Sequence, residues 1–220
     1  MKASELIVHS IPTIKPSDTC ATALKIMNEY HLTQLPVLNG RQLLGLVFEE
    51  ELLNVNKQES ALGALKLKLL TPFIHDYEHV FEVLKVATTL KLRIIPIVDK
   101  DNNYMGSISS DSLLSYLTTH TDICEPGGII ELEIPVNDYS LSDVSRHVES
   151  NQAKILCAFA STNSDSSVIR LTIKINIPNV QPVIQTLERY KYKISDSYQE
   201  PEFYDDLKDR YDALMTYLNV

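Results

Sequence analysis

The chain repeats itself, and nothing else in it restricts the possible folds as much. Leu24 falls on Leu84, Met27 on Ala87, Leu32 on Leu92 and Pro36 on Pro96, all at a separation of 60 residues. Beyond a turn the separation becomes 61, and Gly45 falls on Gly106 and Leu52-Leu53 on Leu113-Leu114. The extra residue lies where Asn39-Gly40-Arg41 is replaced by Asp99-Lys100-Asp101-Asn102-Asn103, and turn chemistry tolerates it there. A period of this length marks a supersecondary unit that buries its apolar face against a second copy.

Each copy reads as β-α-β-β-α. In the first, residues 11–15 are an extended piece. A helix of roughly a dozen residues follows, with Asp18 and Thr19 as candidate caps and Leu24, Met27 and His31 along one side. Strands over 34–38 and 43–47 flank the turn, and a short helix opens near Glu49. His31 falls on Lys91 in the second copy, which places both at a helix end. A copy of about 50 residues is too small to cover both faces of its own strands, so the two are expected to pack as one unit.

These residues resemble a known family. Leu35-Pro36-Val37 with Gly45-Leu46-Val47, and Ile95-Pro96-Ile97 with Gly106-Ser107-Ile108, are similar to the CBS motif. Two in register resemble a CBS domain pair, or Bateman module, over residues 1–122, with repeats at about 1–57 and 68–122. The resemblance implies clefts between the motifs that take adenosine-type ligands such as AMP, ADP, ATP or S-adenosylmethionine. It assigns the base to apolar residues beside the prolines (Leu35, Pro36, Ile95, Pro96) and counts Thr13 among the ligand-binding residues. The family carries a hydroxyl three residues after the glycine and an Asp six after it, at the N-terminus of the short helix. Free N–H groups there favour phosphate, and the carboxylate accepts from ribose.

Both copies depart from this pattern. The first has Phe48 and Glu51 at the two positions, with Glu49 and Glu50 adding charge that opposes a phosphate. The second has Ser109, which fits, and Ser112, which does not. Asp111 is its neighbour, about 100° round the helix. The second half-site is thus the better match to a nucleotide.

Residues 128–198 change character. Cys124-Glu125-Pro126-Gly127-Gly128 punctuates the chain as a linker. Residues 129–134 alternate as a strand with Glu131 and Glu133 on a wet face, and Asn137 to Ser140 opens a helix carrying Leu141, Val144 and Val148. Strands at 153–160 and 168–175 flank a polar turn at 162–166. Asn179 caps a helix with Val183, Ile184 and Leu187, and residues 191–197 form a last strand. The order βαββαβ is ferredoxin-like, and behind a CBS pair it resembles an ACT domain. That family has a ligand-approaching glycine after its first strand, and residues 135–141 have none. Residues 200–220 carry Phe203, Leu207, Tyr211, Leu214, Met215 and Leu218 as one stripe of a C-terminal amphipathic helix. The fold class expected is α+β. The whole is similar to the AcuB-type CBS proteins of acetoin utilisation.

Composition and motifs narrow the function. A net charge of -9 disfavours nucleic acid and anionic membrane surfaces as partners. No stretch reaches the ~18 apolar residues of a membrane span, and residues 1–10 lack a signal-peptide core. Cys20, Cys124 and Cys157 are odd in number and widely spaced, which suits a reducing cytoplasm and neither a disulfide framework nor a zinc ribbon. With six glycines there is no phosphate loop, and no nucleophile-elbow or zinc-protease motif occurs. His75 and His79 are four apart, but Pro72 and Asp76 start the helix after His75, so they share no face and no metal site is expected. The expectation is a cytoplasmic, non-enzymatic, homodimeric regulator. It carries no catalytic residue and no resident cofactor, senses an adenosine-type ligand, and acts on an unidentified protein partner. The alternative is a homodimeric scaffold with unused clefts.

Overall fold

The computed structural model describes residues 1–65, 69–162 and 167–199, together with Leu214, Met215 and Tyr217. The chain divides into two compact units, Met1–Leu117 and Thr118–Val220, and the fold is mixed α+β.

In the first unit the repeat is realised element by element, with a shorter last helix and no first strand in the first copy. The first copy holds α1 (Cys20–Tyr30), β1 (Gln34–Asn39), β2 (Gln42–Phe48) and α2 (Glu49–Leu53). The second holds β3 (Ile74–His75), α3 (Val80–Thr89), β4 (Ile94–Val98), β5 (Tyr104–Ser109) and α4 (Ser110–His120). β1 and β2 pair antiparallel, as do β4 and β5, and β3 lies parallel to β4. The expected extended piece at 11–15 shrinks to a single bridge, where Ile14 lies parallel to Val37. Its N–H bonds the Pro36 carbonyl at 2.9 Å, and its carbonyl takes the Leu38 N–H at 2.8 Å.

The helix starts are made from matched parts. Thr19 caps α1 by accepting the Thr22 N–H at 3.1 Å, while Asp18 accepts the Lys15 N–H at 2.7 Å. Sixty residues on, His79 caps α3 by accepting the Phe81 N–H, and Glu78 accepts the His75 N–H at 3.0 Å. His31 and Lys91 both take φ 54 as the chain leaves its helix. His31 is therefore a left-handed C-cap and not a member of the stripe that buries Met27.

Each repeat is completed by the chain that leads into the other one. Residues near the N-terminus pair with the second repeat: the Ala3 N–H bonds Glu78, Ser4 bonds Asp76 and Val8 bonds Ser107. The connecting segment pairs with the first: Leu62 bonds Asp18, Gly63 bonds Pro16, and Leu46 bonds Leu70 at 2.7 Å. The two repeat glycines make this approach possible. A Cβ on Gly45 would lie 2.7 Å from the Leu70 oxygen, and one on Gly106 would lie 2.3 Å from Ile7 Cγ2, with φ at +147 and +151. Two cores result. Ile14, Cys20, Met27, Leu35 and Val47 fill the first, and Ala3, Leu46, Ile74, Val83, Ile95 and Ile108 the second.

The second unit holds β6 (Gly128–Pro135), α5 (Leu141–Glu149), β7 (Ile155–Thr162), β8 (Val168–Ile175), α6 (Gln181–Arg189) and β9 (Lys193–Tyr198). The strands lie in the order β7-β8-β6-β9, all neighbours antiparallel, which is the split β-α-β arrangement. Ile130, Leu132 and Ile134 meet Val144, Val148, Val183 and Leu187 in its core. Glu131 and Glu133 point to the other face, half-buried. Ser140 caps α5. The N-cap of α6 is Val180 and not the expected Asn179, whose side chain one residue earlier accepts the Gln181 N–H at 3.0 Å. Lys191 is not in the last strand: its φ of 66 and its N–H bond to Glu188 make it the exit turn of α6. Of the expected C-terminal helix, Leu214, Met215 and Tyr217 are helical, and the remainder lies outside the described residues. Residues 163–166, most of the expected polar turn, also lie outside them. No helix among the described residues is long and apolar enough to cross a membrane.

Candidate ligand clefts of the first unit

The site residues named from the sequence fall into three kinds of place. Leu35 and Ile95 are fully buried, one in each core. Pro36 and Pro96 are buried mid-strand opposite Leu46 and Ser107. A proline there donates nothing to its neighbour, and the Pro36 carbonyl is taken by Ile14. Thr13 is exposed immediately before that bridge.

Phe48 and Glu51 come together. With Thr33, Glu49 and Glu50 they line a cavity of about 410 Å³ at the start of α2. Phe48 ends β2 in an extended conformation, offers no cap to the helix, and packs one side against the second core. The Glu49 N–H is held by the Thr33 carbonyl at 3.0 Å, which fixes the mouth of the helix. Glu51 Oε2 is buried without a hydrogen-bond partner. A carboxylate oxygen in that position is short of a donor, and leaving it so costs about 1–3 kcal/mol. Three successive carboxylates make the cavity electronegative.

The matching positions of the second repeat are occupied differently. Ser109 Oγ accepts the Ser112 N–H at 3.1 Å, and the two hydroxyls are 2.8 Å apart. Ser109 thus caps α4, and the pair satisfies itself. Asp111 is exposed and joins neither hydroxyl. The Ser110 N–H bonds the Arg93 carbonyl at 2.9 Å, as Glu49 bonds Thr33.

Two features escape the sequence reading. Gln34 is buried, and its Oε1 accepts from the Arg93 N–H at 3.1 Å and the Ile94 N–H at 3.3 Å. It stitches the start of β1 to the start of β4, so the two repeats meet at equivalent points. Its signal was available: at 60 residues' separation it faces Ile94, a polar residue where its copy is apolar. The second is an apolar cavity of about 200 Å³ among Pro16, Val37, Leu44 and Leu65. Its far wall comes from the connecting segment, which carries no motif. In the turn between β4 and β5, three N–H donors from Asn103 and Asp101 hold Asp99 below the usual carboxylate range. Burial pushes the Tyr104 hydroxyl up. Among the described residues no group of three or more His, Cys, Asp or Glu could hold a metal.

Comparison with known proteins agrees with this geometry. Residues 3–57 match the family model of the CBS domain. Inosine-5'-monophosphate dehydrogenase of Methanocaldococcus jannaschii is 25% identical over 114 residues, 51% of this chain and 23% of that enzyme. The corresponding enzyme of Korarchaeum cryptofilum is 22% identical over 122 residues, 54% of this chain and 25% of the enzyme. The chain thus spans about a quarter of these relatives' length. Among solved structures, a CBS domain pair/ACT domain protein of Thermotoga maritima superimposes with a TM-score of 0.50 at 22% identity, over 55% of this chain and 98% of that one. The repeat, the exchanged segments and these likenesses give about half of the chain the fold of a CBS domain pair, with residues 3–57 matching the CBS domain itself.

Proposed function

We propose that the protein is a regulatory ligand sensor, and that the cavity at Phe48 and Glu51 takes an adenosine-type ligand. One observation carries this reading: Glu51 helps line a cavity of about 410 Å³, and its Oε2, shielded from solvent, has no donor of its own. A ribose diol supplies such donors, and the Phe48 ring offers a face for a base. The charge of Glu49, Glu50 and Glu51 works against phosphates, so a phosphate-free or cationic member of the class, such as S-adenosylmethionine, suits the cavity better than ATP. Output then passes through a protein partner or through the geometry of a homodimer. The ligand shifts the population of states by its differential affinity and no more. The second unit, with its split β-α-β order, supports an ACT-like domain in the dimerising role. In this reading the protein works in the cytoplasm and performs no chemistry of its own.

The test is thermal stability against AMP, ADP, ATP, NAD and S-adenosylmethionine. A ligand at 100 times its dissociation constant stabilises by about 2.7 kcal/mol. Each kcal/mol moves the melting temperature of a chain this size by roughly 2–4 °C. A shift of several degrees, larger for S-adenosylmethionine than for ATP, supports the reading. A flat panel at millimolar ligand favours the alternative, a homodimeric scaffold with unused clefts. The self-satisfied Ser109–Ser112 pair is the observation on that side.

A further inference from the structure

Alternate residues from Phe73 to Phe81 are aromatic: Phe73, His75, Tyr77, His79 and Phe81. Ile74 and Val80 are buried, His75 is half-buried, and Phe73, Tyr77, His79 and Phe81 are exposed along β3, the turn after it and the start of α3. Phe73 meets the His75 edge at 5.5 Å between centroids, His75 stacks on Tyr77 at 5.2 Å and 7°, and His79 meets Phe81 at 4.6 Å. Phe73 is 45% exposed, Tyr77 58% and Phe81 65%.

His75 Nδ1 lies 3.2 Å from the Asp99 carbonyl oxygen and His79 caps α3, but the fold does not require the rings of Phe73, Tyr77 and Phe81. The first repeat builds the same turn and helix start with Thr13, Lys15, Ser17, Thr19 and Ala21 at the equivalent positions. Three half-exposed rings are apolar surface in water with no local role, and such patches mark interaction sites.

Charge says what covers them. Within 71–85, Asp76, Glu78 and Glu82 face a single cation, Lys85, which Glu82 already pairs at 3.5 Å. Lys2 approaches through a backbone bridge to His79. Aromatic faces beside carboxylates attract guanidinium and ammonium groups through both the ring quadrupole and the net charge. A second copy of a chain carrying -9 is a poor occupant, and so is the acidic stretch 200–212 with its six carboxylates against Lys208 and Arg210.

We propose that the aromatic ladder Phe73–Phe81 is the docking surface for an arginine- and lysine-rich segment of a partner protein. The experiment titrates a labelled oligo-arginine peptide into the full chain near physiological ionic strength and follows anisotropy. The variant Phe73→Thr, Tyr77→Ser, Phe81→Ala places the first repeat's residues at these positions and leaves the charge unchanged. Saturable binding that weakens roughly tenfold or more in the variant, with an unchanged melting temperature, is the expected result. Equal affinity for both proteins reduces the binding to general charge attraction and overturns the proposal. A dimer that the variant abolishes, or a gain in peptide affinity on removing residues 200–220, also overturns it. In those cases a second copy or the chain's own tail is the occupant.

Discussion

Gln34 and Glu51 show how single polar groups define this molecule. Gln34 gives two N–H groups of the other repeat, that of Arg93 and the buried one of Ile94, their acceptor. Gln34→Leu removes it and strands both donors, at a cost of about 1–3 kcal/mol. The melting temperature is expected to fall by several degrees, while the isosteric Gln34→Glu, which keeps an acceptor, falls less. Glu51 is the opposite case, an acceptor without a donor. Glu51→Leu is expected to hold or raise the melting temperature of the free protein and to erase any shift caused by ligand. Ser112→Asp separates the two half-sites. If the second cleft binds ribose, the new carboxylate tightens adenosine binding; if Glu51 is the acceptor, affinity stays the same. At this scale the sequence pattern located Phe48, Glu51, Ser109 and Ser112 because they lie at fixed offsets from a glycine. It could not reveal that Ser109 and Ser112 bond each other, since a cap and a ligand site use the same hydroxyl.

Elements are where the exchanged segments matter. The N-terminal residues complete the second repeat, with Ala3 fully buried in its core and Val8 bonded to Ser107. Removal of residues 1–8 is expected to speed amide hydrogen exchange in β5 and α3 while leaving the second unit unchanged. Equal protection throughout would contradict that assignment of the segment. Gly106→Ala tests the same contact, because its Cβ meets Ile7 at a backbone angle that side chains rarely adopt. A loss of about 1–3 kcal/mol is expected in urea unfolding. The helices, strands and caps were legible because they rest on local periodicity and on a second copy to check against. Thr19 was visible as a capping position, and the opening of α5 was visible at Asn137 to Ser140, of which Ser140 is the cap. The exchange was not legible: pairing of Val8 with Ser107 joins distant residues and leaves no periodic trace. Likewise the bend at Lys191 is a left-handed turn of an ordinary residue, which strand propensity alone assigns to β9.

For the whole molecule, charge is the dominant variable. Asp99, Glu133 and Asp196 are each held below the ordinary carboxylate range. Asn103 does this for Asp99, Lys193 for Glu133 and the Tyr198 hydroxyl for Asp196. A carboxyl lowered in the folded state stabilises fully above its unfolded value and loses that contribution as pH falls through the folded one. The urea midpoint is therefore expected to be level near neutrality and to drop below about pH 4. A midpoint that rises on acidification would contradict this. The same acidic excess shapes both proposed surfaces, a cleft that disfavours phosphate and a ladder that favours a basic segment. The measurement that tests the account most directly is calorimetric titration of the full chain and its Glu51→Gln variant with adenosine, AMP, ATP and S-adenosylmethionine. The account predicts saturable binding to the native chain, tighter for the phosphate-free compounds, and weakened roughly tenfold by the substitution, as for a lost charge-assisted hydrogen bond. Affinity that climbs with phosphate number, or that ignores the change at Glu51, would contradict it.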